Sequence, residues 1–191
     1  MTDDLTYLSA TEALARFRDR SLSPVELLDA VIARGEAVAE SVHPFGDLYH
    51  KEARERGRAA EAAYGAGEAG PLEGLPLVVK DTSAITGQRY TTGSMIYKDR
   101  VAEETDPEIE RLLDAGANLF ARTTTPEFGW LFTTQSRIWG ITHNPWRHGI
   151  SPGGSSGGSA SALAAGATTI ATGGDSAGSI RQPAGQCGVV G

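Results

Sequence analysis

The stretch GGDSAGSIRQPAG, Gly173 to Gly185, carries two serines three positions apart, Ser176 and Ser179, in a glycine-rich turn. A serine hydroxyl is a poor nucleophile until a base withdraws its proton. Read alone, GDSAG fits a G-x-S-x-G nucleophile elbow with Ser176 as the attacking group, an arrangement that needs an acid and a histidine later in the chain. The four histidines, His43, His50, His143 and His148, all come earlier. They fall in turn-rich segments or at helix edges. An elbow also wants a helix directly after its serine, whereas Pro183 sits seven residues on, and the upstream H-G-G-G loop is missing. GISPG (149–153) and GGSSG (153–157) fit the pattern equally well.

Lysine is the other base on offer. The chain uses fourteen arginines but three lysines, Lys51, Lys80 and Lys98. Lys51 opens a charged helix and Lys98 lies in the polar YKDR, so both read as solvated. Lys80 closes the apolar run LPLVV. Burial disfavours the ammonium and lowers a lysine pKa by up to about 3–5 units when complete, and a neutral amine is a competent general base near pH 7. The plainer alternative is a strand-end lysine that reaches water or pairs with Asp81. The block SPGGSSGGSASA adds hydroxyls and backbone N–H groups with little bulk, which also suits a linker or an anion-cradling nest. Neither G-x-x-x-x-G-K-[ST] nor G-x-G-x-x-G occurs, which excludes those two phosphate-binding loops. One cysteine, Cys187, excludes an internal disulfide framework and a cysteine metal cluster. It lies in an apolar stretch and suits packing. No cofactor and no metal are expected.

These residues need elements to hold them. Ser9 with Glu12 and Ser23 with Glu26 have capping-box spacing, with Pro24 at the first helical position. Val25, Leu27, Leu28, Val31 and Ile32 then fall on one helical face. A third helix is predicted over roughly Leu48 to Ala66, so residues 1–66 read as a helical layer over a core. From there the period changes. Leu75 to Asp81 reads as a buried strand, Asp106 and Pro107 open a helix that closes at Gly116, and Asn118 to Thr123 reads as a second strand. SGGSASALAAG starts as a loop and becomes a small-residue helix, and Thr168 to Thr172 follows as a strand. Strands alternating with helices argue for an α/β fold with a largely parallel sheet flanked by helices over residues 67–191.

Bulk numbers agree with an ordinary globular domain. Of 191 residues, 40% are hydrophobic and 21% charged, and the net charge is −7. No global field draws such a chain to nucleic acid or to an anionic membrane, and no window approaches the apolar length of a membrane span. The acidic start MTDDLTYLSA lacks the basic and apolar regions of a secretory signal, so a cytoplasmic location is expected. Residues 149–191 hold 12 of the 24 glycines and two charges, Asp175 and Arg181. With TTIAT and CGVVG among them, they read as tight turns in a buried interior. CGVVG reads as a strand entering a core, which suggests that these residues are the N-terminal part of a longer fold.

Taken together, LPLVVKD, SPGGSSGGSASALAAG and GGDSAGSIRQPAGQCGVVG, with ARTTTPEFG and ITHNPW between them, resemble the amidase signature family of serine hydrolases. The glycine-serine block and the GSIRQPA block, with key serines twenty-four positions apart, are its most specific part. The resemblance implies the family's α/β fold and a Ser–cis-Ser–Lys triad. In it Ser179 attacks the amide carbonyl, while Ser155, held by a cis Gly154–Ser155 peptide, passes protons to and from Lys80. The oxyanion would rest on the N–H groups of Ser176, Ala177, Gly178 and Ser179. Asp175 and Arg181 are supporting residues, either as an ion pair ordering the turn or with a direct role toward substrate. The chain departs from the family pattern at Gly174, Ala177, Ala121, Arg122 and Thr124. Its GDSAGS turn is closer to stand-alone amidases than to glutamine amidotransferase components.

The expectation is therefore hydrolysis of a carboxamide to acid and amine or ammonia through an acyl-enzyme. The nearest alternative is the glutamine-hydrolysing component of a tRNA-dependent amidotransferase. An esterase using Ser176 and a truncated, non-catalytic module follow it. The expected partner is a small-molecule amide, with no direct nucleic-acid or membrane contact. Homodimerisation is compatible with the sequence.

Overall fold

The computed structural model describes residues 4–191; Met1 to Asp3, part of the acidic start, lie outside the described residues. Helices come first where the capping signals put them. Helix α1, Ala10–Arg18, starts behind Ser9, whose side chain accepts from the Glu12 N–H. Helix α2, Pro24–Ala37, has a complete capping box: Ser23 Oγ accepts from the Val25 and Glu26 N–H groups, and Glu26 accepts from the Ser23 N–H. Replacing Ser23 with alanine is expected to cost about 1 kcal/mol, seen as a lower urea midpoint at unchanged slope.

The third helix begins later than predicted. Phe45–Leu48 forms a strand, β1, and α3 runs His50–Ala66. FGDL has neither alternation nor a β-branched residue, so no local pattern marks it as a strand. The first 66 residues thus supply a sheet strand as well as helices.

Strand β2, Pro76–Lys80, leads through helix α4, Pro107–Asp114, to strand β3, Asn118–Thr123. A short hairpin follows, β4 at Gln135–Ser136 and β5 at Gly140–Ile141. Helix α5, Gly157–Ala164, strand β6, Ile170–Ala171, and helix α6, Arg181–Cys187, complete the chain. The main sheet has the order β1-β3-β2-β6, with β1 antiparallel to β3 and the other pairs parallel. This is a mixed, largely parallel α/β sheet.

Both sheet faces are covered, which explains why β2 is a continuous apolar run. On one face Val78, Phe120 and Ala121 pack against Phe17, Leu27, Leu28 and Val31 from α1 and α2. On the other, Leu77, Val79 and Leu119 pack with Ile85 and with Ile109 of α4. The buried Asn118 is satisfied on both sides: its amide donates to the Ala53 carbonyl and its oxygen accepts from Arg56. That locks α3 to the start of β3.

Several local expectations change. The strand in TTIAT is only Ile170–Ala171. Asp106 does stand before α4, but its carboxylate accepts from the Ala84 N–H and makes no cap bond. CGVVG is not a strand: Cys187 ends α6, Gly188 turns the chain in a left-handed conformation, and Val190 is 98% exposed. Pro183 does not bar a helix, because it lies in the first turn of α6, where a missing N–H costs nothing. Residues 152–162 are largely buried, as expected of a core, whereas 173–177 lie exposed.

Candidate active site

Lys80 is the last residue of β2, at the carboxyl end of the parallel strands, where open α/β sheets place their sites. Its backbone is fixed on both sides. The Lys80 N–H donates to Thr172 Oγ1 at 3.0 Å, and Arg122 donates to the Lys80 carbonyl at 3.3 Å and to the Ser83 carbonyl. The side chain turns inward and is 3% exposed. Its Nζ lies 2.7 Å from Ser155 Oγ and 2.9 Å from Ser156 Oγ. Burial lowers the amine pKa to about 8, with the Asp175 carboxylate pulling weakly the other way. Lys80 does not pair with Asp81. That carboxylate accepts instead from Thr91, the Gly93 N–H and Trp139 Nε1.

Ser155 sits in the loop before α5, and the Gly154–Ser155 peptide is cis. Several hydrogen bonds hold the loop. Thr125 Oγ1 donates to the Ser155 carbonyl at 3.0 Å, and the Gly154 N–H donates to Gln182 Oε1 at 3.1 Å. The Ser156 N–H donates to the Ser179 carbonyl at 3.1 Å, which ties the two serine segments directly together.

The turn bearing Ser179 is organised by Asp175. Its carboxylate accepts from the Gly178, Ile180 and Arg181 N–H groups at 2.7, 3.1 and 3.1 Å. It also takes a two-pronged bond from the Arg181 guanidinium, at 3.0 and 2.9 Å. The Arg181 side chain, with those N–H donors, holds the Asp175 carboxyl far below the usual carboxylate range. Asp175 and Arg181 therefore form the turn-ordering ion pair. The geometry also narrows the set of donors. The Gly178 N–H is taken up by Asp175, while those of Ser176, Ala177 and Ser179 have no internal acceptor among the described residues. Gly178 has φ 118°, a left-handed conformation natural to glycine. Lys80, Ser155, Ser176, Ala177 and Ser179 all line one open cleft of about 560 Å³, together with residues 128–132.

The remaining candidates are engaged elsewhere. His43 Nε2 bonds the Trp139 carbonyl, His148 Nδ1 the Ser41 carbonyl, and His143 Nδ1 accepts from the Gly149 N–H. His50 faces Glu36 at 3.9 Å. Cys187 is buried, donates to the Pro152 carbonyl, and burial pushes its thiol pKa up to about 11. Among the described residues, no three acidic, histidine or cysteine side chains gather as metal ligands, and no helix is long and apolar enough to cross a membrane.

Sequence reasoning misses four contributors: Ser156, Gln182, Thr125 and Thr172. Ser156 stands in GGSSGG beside Ser155, and nothing local marks it as a partner of the lysine. The other three act across 28 to 92 positions of chain, and no spacing rule reaches that far.

Comparison with known proteins identifies the family. A family model described as Amidase matches residues 26–191. The chain is 39% identical to an acylamidase of Rhodococcus erythropolis, over 98% of this chain and 40% of that protein. It is 38% identical to a component of the glutamyl-tRNA(Gln) amidotransferase of Deinococcus radiodurans, over 97% of this chain and 38% of that one. Among solved structures, 6-aminohexanoate cyclic dimer hydrolase superposes with a TM-score of 0.86 at 36% identity, covering 96% of this chain and 37% of that enzyme. The chain thus spans about 40% of the length of the relatives it matches.

Proposed function

Because the chain belongs to the amidase signature family, we propose that its protein hydrolyses a carboxamide to a carboxylic acid and an amine or ammonia through a serine acyl-enzyme. The observation that carries this reading is the buried Lys80 amine, 2.7 Å from Ser155 Oγ and with its pKa lowered to about 8. A neutral amine of that basicity is suited to take a proton near physiological pH.

In the proposed sequence Ser179 Oγ bonds to the amide carbon as its proton passes to Ser155 Oγ, whose own proton passes to Lys80 Nζ. The negative charge on the carbonyl oxygen is received by the N–H groups of Ser176, Ala177 and Ser179. Each such donor is worth roughly 3–4 kcal/mol. Collapse breaks the C–N bond, and the proton returns from Lys80 through Ser155 to the departing nitrogen. Water repeats the cycle on the ester, giving the acid and restoring Ser179. Asp175 and Arg181 hold the turn and take no proton.

A second reading is favoured by one observation, the 38% identity to an amidotransferase component. In it the same acyl-enzyme forms from glutamine, and the ammonia goes to an acceptor bound by a partner protein. Glutamine-dependent ammonia release that requires a second protein favours this reading; turnover of simple amides by the protein alone favours the first.

Fluorophosphonate labelling of the full-length protein, mapped by peptide mass spectrometry, tests the shared chemistry. The adduct is expected on Ser179 and is expected to vanish in Lys80→Met. An adduct on Ser176 with Ser179 unmodified overturns the mechanism.

A further inference from the structure

Arg122 breaks the usual rule for buried charge. It is the largest fully buried side chain, and a guanidinium stays ionised in proteins. Burial pulls its pKa below the ordinary arginine value, while Asp81, Tyr49 and Asp47 attract the charge. Both of those carboxylates are bonded to other donors, Asp81 to Thr91, the Gly93 N–H and Trp139, and Asp47 to Arg89. Arg122 Nε and Nη1 are buried with no acceptor among the described residues. A charge buried in this way is costly, and breaches of local rules gather at functional sites.

What the guanidinium does hold is the lysine. Both of its hydrogen bonds leave one nitrogen, Nη2, and end on the Lys80 and Ser83 carbonyls. The Ser83 N–H donates back to the Lys80 carbonyl at 3.0 Å, so these bonds close the turn by which the chain leaves β2. The Lys80 amine stands on a flexible four-carbon stem, and slack in the backbone beneath it is carried through to Nζ. Three positions after Arg122, the same run of chain holds the other partner: Thr125 Oγ1 donates to the Ser155 carbonyl at 3.0 Å. Between them Thr123 Oγ1 bonds Ser159 Oγ of α5 at 2.7 Å, and Thr124 Oγ1 bonds Thr142 Oγ1 at 2.6 Å. All four residues of RTTT are buried, so these contacts depend on no open surface.

We propose that Arg122 and Thr125 are positioning residues that set the gap between the lysine amine and the bridging serine, one from each side, from a single stretch of chain at the end of β3. The proposal rests on the amidase reading and adds how its proton relay is held at 2.7 Å. A base works only within hydrogen-bond reach of the proton it takes. Arg122 acts as a one-nitrogen anchor. A lysine in its place carries one nitrogen with three donors and suits the same two carbonyls, whereas methionine carries none. Thr125→Val keeps the shape of the side chain and removes its donor.

The test is the rate at which a fluorophosphonate labels Ser179 in the full-length protein, followed over probe concentration so that the maximal rate separates from the half-saturating concentration. Thermal unfolding establishes that each variant is folded at the assay temperature. Since a shift of about 1 Å can cost on the order of 10²-fold, Arg122→Met and Thr125→Val are each expected to lower the maximal rate by about 10-fold or more, with the half-saturating concentration within about threefold of wild type. Arg122→Lys is expected to recover the rate to within about threefold, because the anchor needs one nitrogen. Losses confined to the half-saturating concentration, either folded variant labelling at the wild-type rate, or Arg122→Lys as slow as Arg122→Met overturns the proposal. If Arg122→Met does not fold, Thr125→Val and Arg122→Lys decide by the same thresholds. Failure of the underlying reading looks different: wild type itself leaves Ser179 unlabelled, and the proposal then falls with it.

Discussion

Replacing Lys80 with methionine is expected to lower amide turnover by the full-length protein by at least about 10³-fold, the scale of a lost general base, and to leave the fold intact. The side chain is nearly isosteric and Lys80 is 3% exposed, so methionine fills the same buried space. The pH dependence follows from the lysine pKa of about 8, lowered by burial. In the proposed relay the neutral amine is the active form, so wild-type kcat/KM is expected to rise with pH to a plateau above about 8. Stability moves the same way. The folded-state pKa lies below the unfolded value of 10.5, so between pH 8 and 10.5 the unfolded chain holds more protons and wild type gains stability as pH rises. Below pH 8 both states are charged, and the burial penalty, on the order of 3 kcal/mol, is fully present. Lys80→Met removes it. Urea denaturation at pH 7 is therefore expected to show the inactive variant at least as stable as wild type, with the gap closing toward pH 10.5. A variant clearly less stable at pH 7 contradicts the buried, destabilised amine.

The second large effect is expected at Gly158. An alanine Cβ there would lie 2.5 Å from the nitrogen, the carbonyl oxygen and Oγ1 of Thr124. Two of these are backbone atoms, and the Thr124 N–H is already bonded to the Pro44 carbonyl. No rotamer change relieves the clash, so α5 must move off the end of β3. Gly158→Ala is expected to cost about 3 kcal/mol or more and to move Ser155 and Ser156 away from Lys80. Gly185 is the control. It lies in α6, and a Cβ there meets nothing within 4 Å. Gly185→Ala is expected to be neutral or to stabilise by about 0.5–1 kcal/mol through helix propensity. Thermal unfolding of both variants checks the contrast, and equal melting temperatures refute it.

Much of this architecture can be read directly from the chain. Ser23 and Glu26 mark the start of α2 because a cap is a contact over three residues. LPLVVK marks β2 because a strand covered on both faces has no room for polar side chains. The key polar residues are legible as a pattern of three distant blocks, through family resemblance. What stays hidden depends on long-range contact. β1 forms at FGDL because β3 offers it an edge, against its own weak propensity. CGVVG is apolar enough for a strand, yet it ends a helix whose first turn lies against the Asp175 carboxylate. The second hydroxyl on Lys80 cannot be chosen from GGSSGG, because only the folded position of the amine shows that it reaches both serines. The Gly178 N–H counts as an oxyanion donor only until the carboxylate of Asp175 is placed beside it.

That carboxylate has a consequence for how the protein changes over time. Its five hydrogen bonds all fall within residues 175–181, so its ordering of the turn that carries Ser179 is written in seven consecutive residues. The loop at residues 128–132 is held by a different set, with the Phe128 N–H donating to the Thr92 carbonyl and the Phe128 ring against Tyr97. A mutation in that loop leaves the five bonds of Asp175 in place, so the geometry of the turn is inherited as one short word of the sequence.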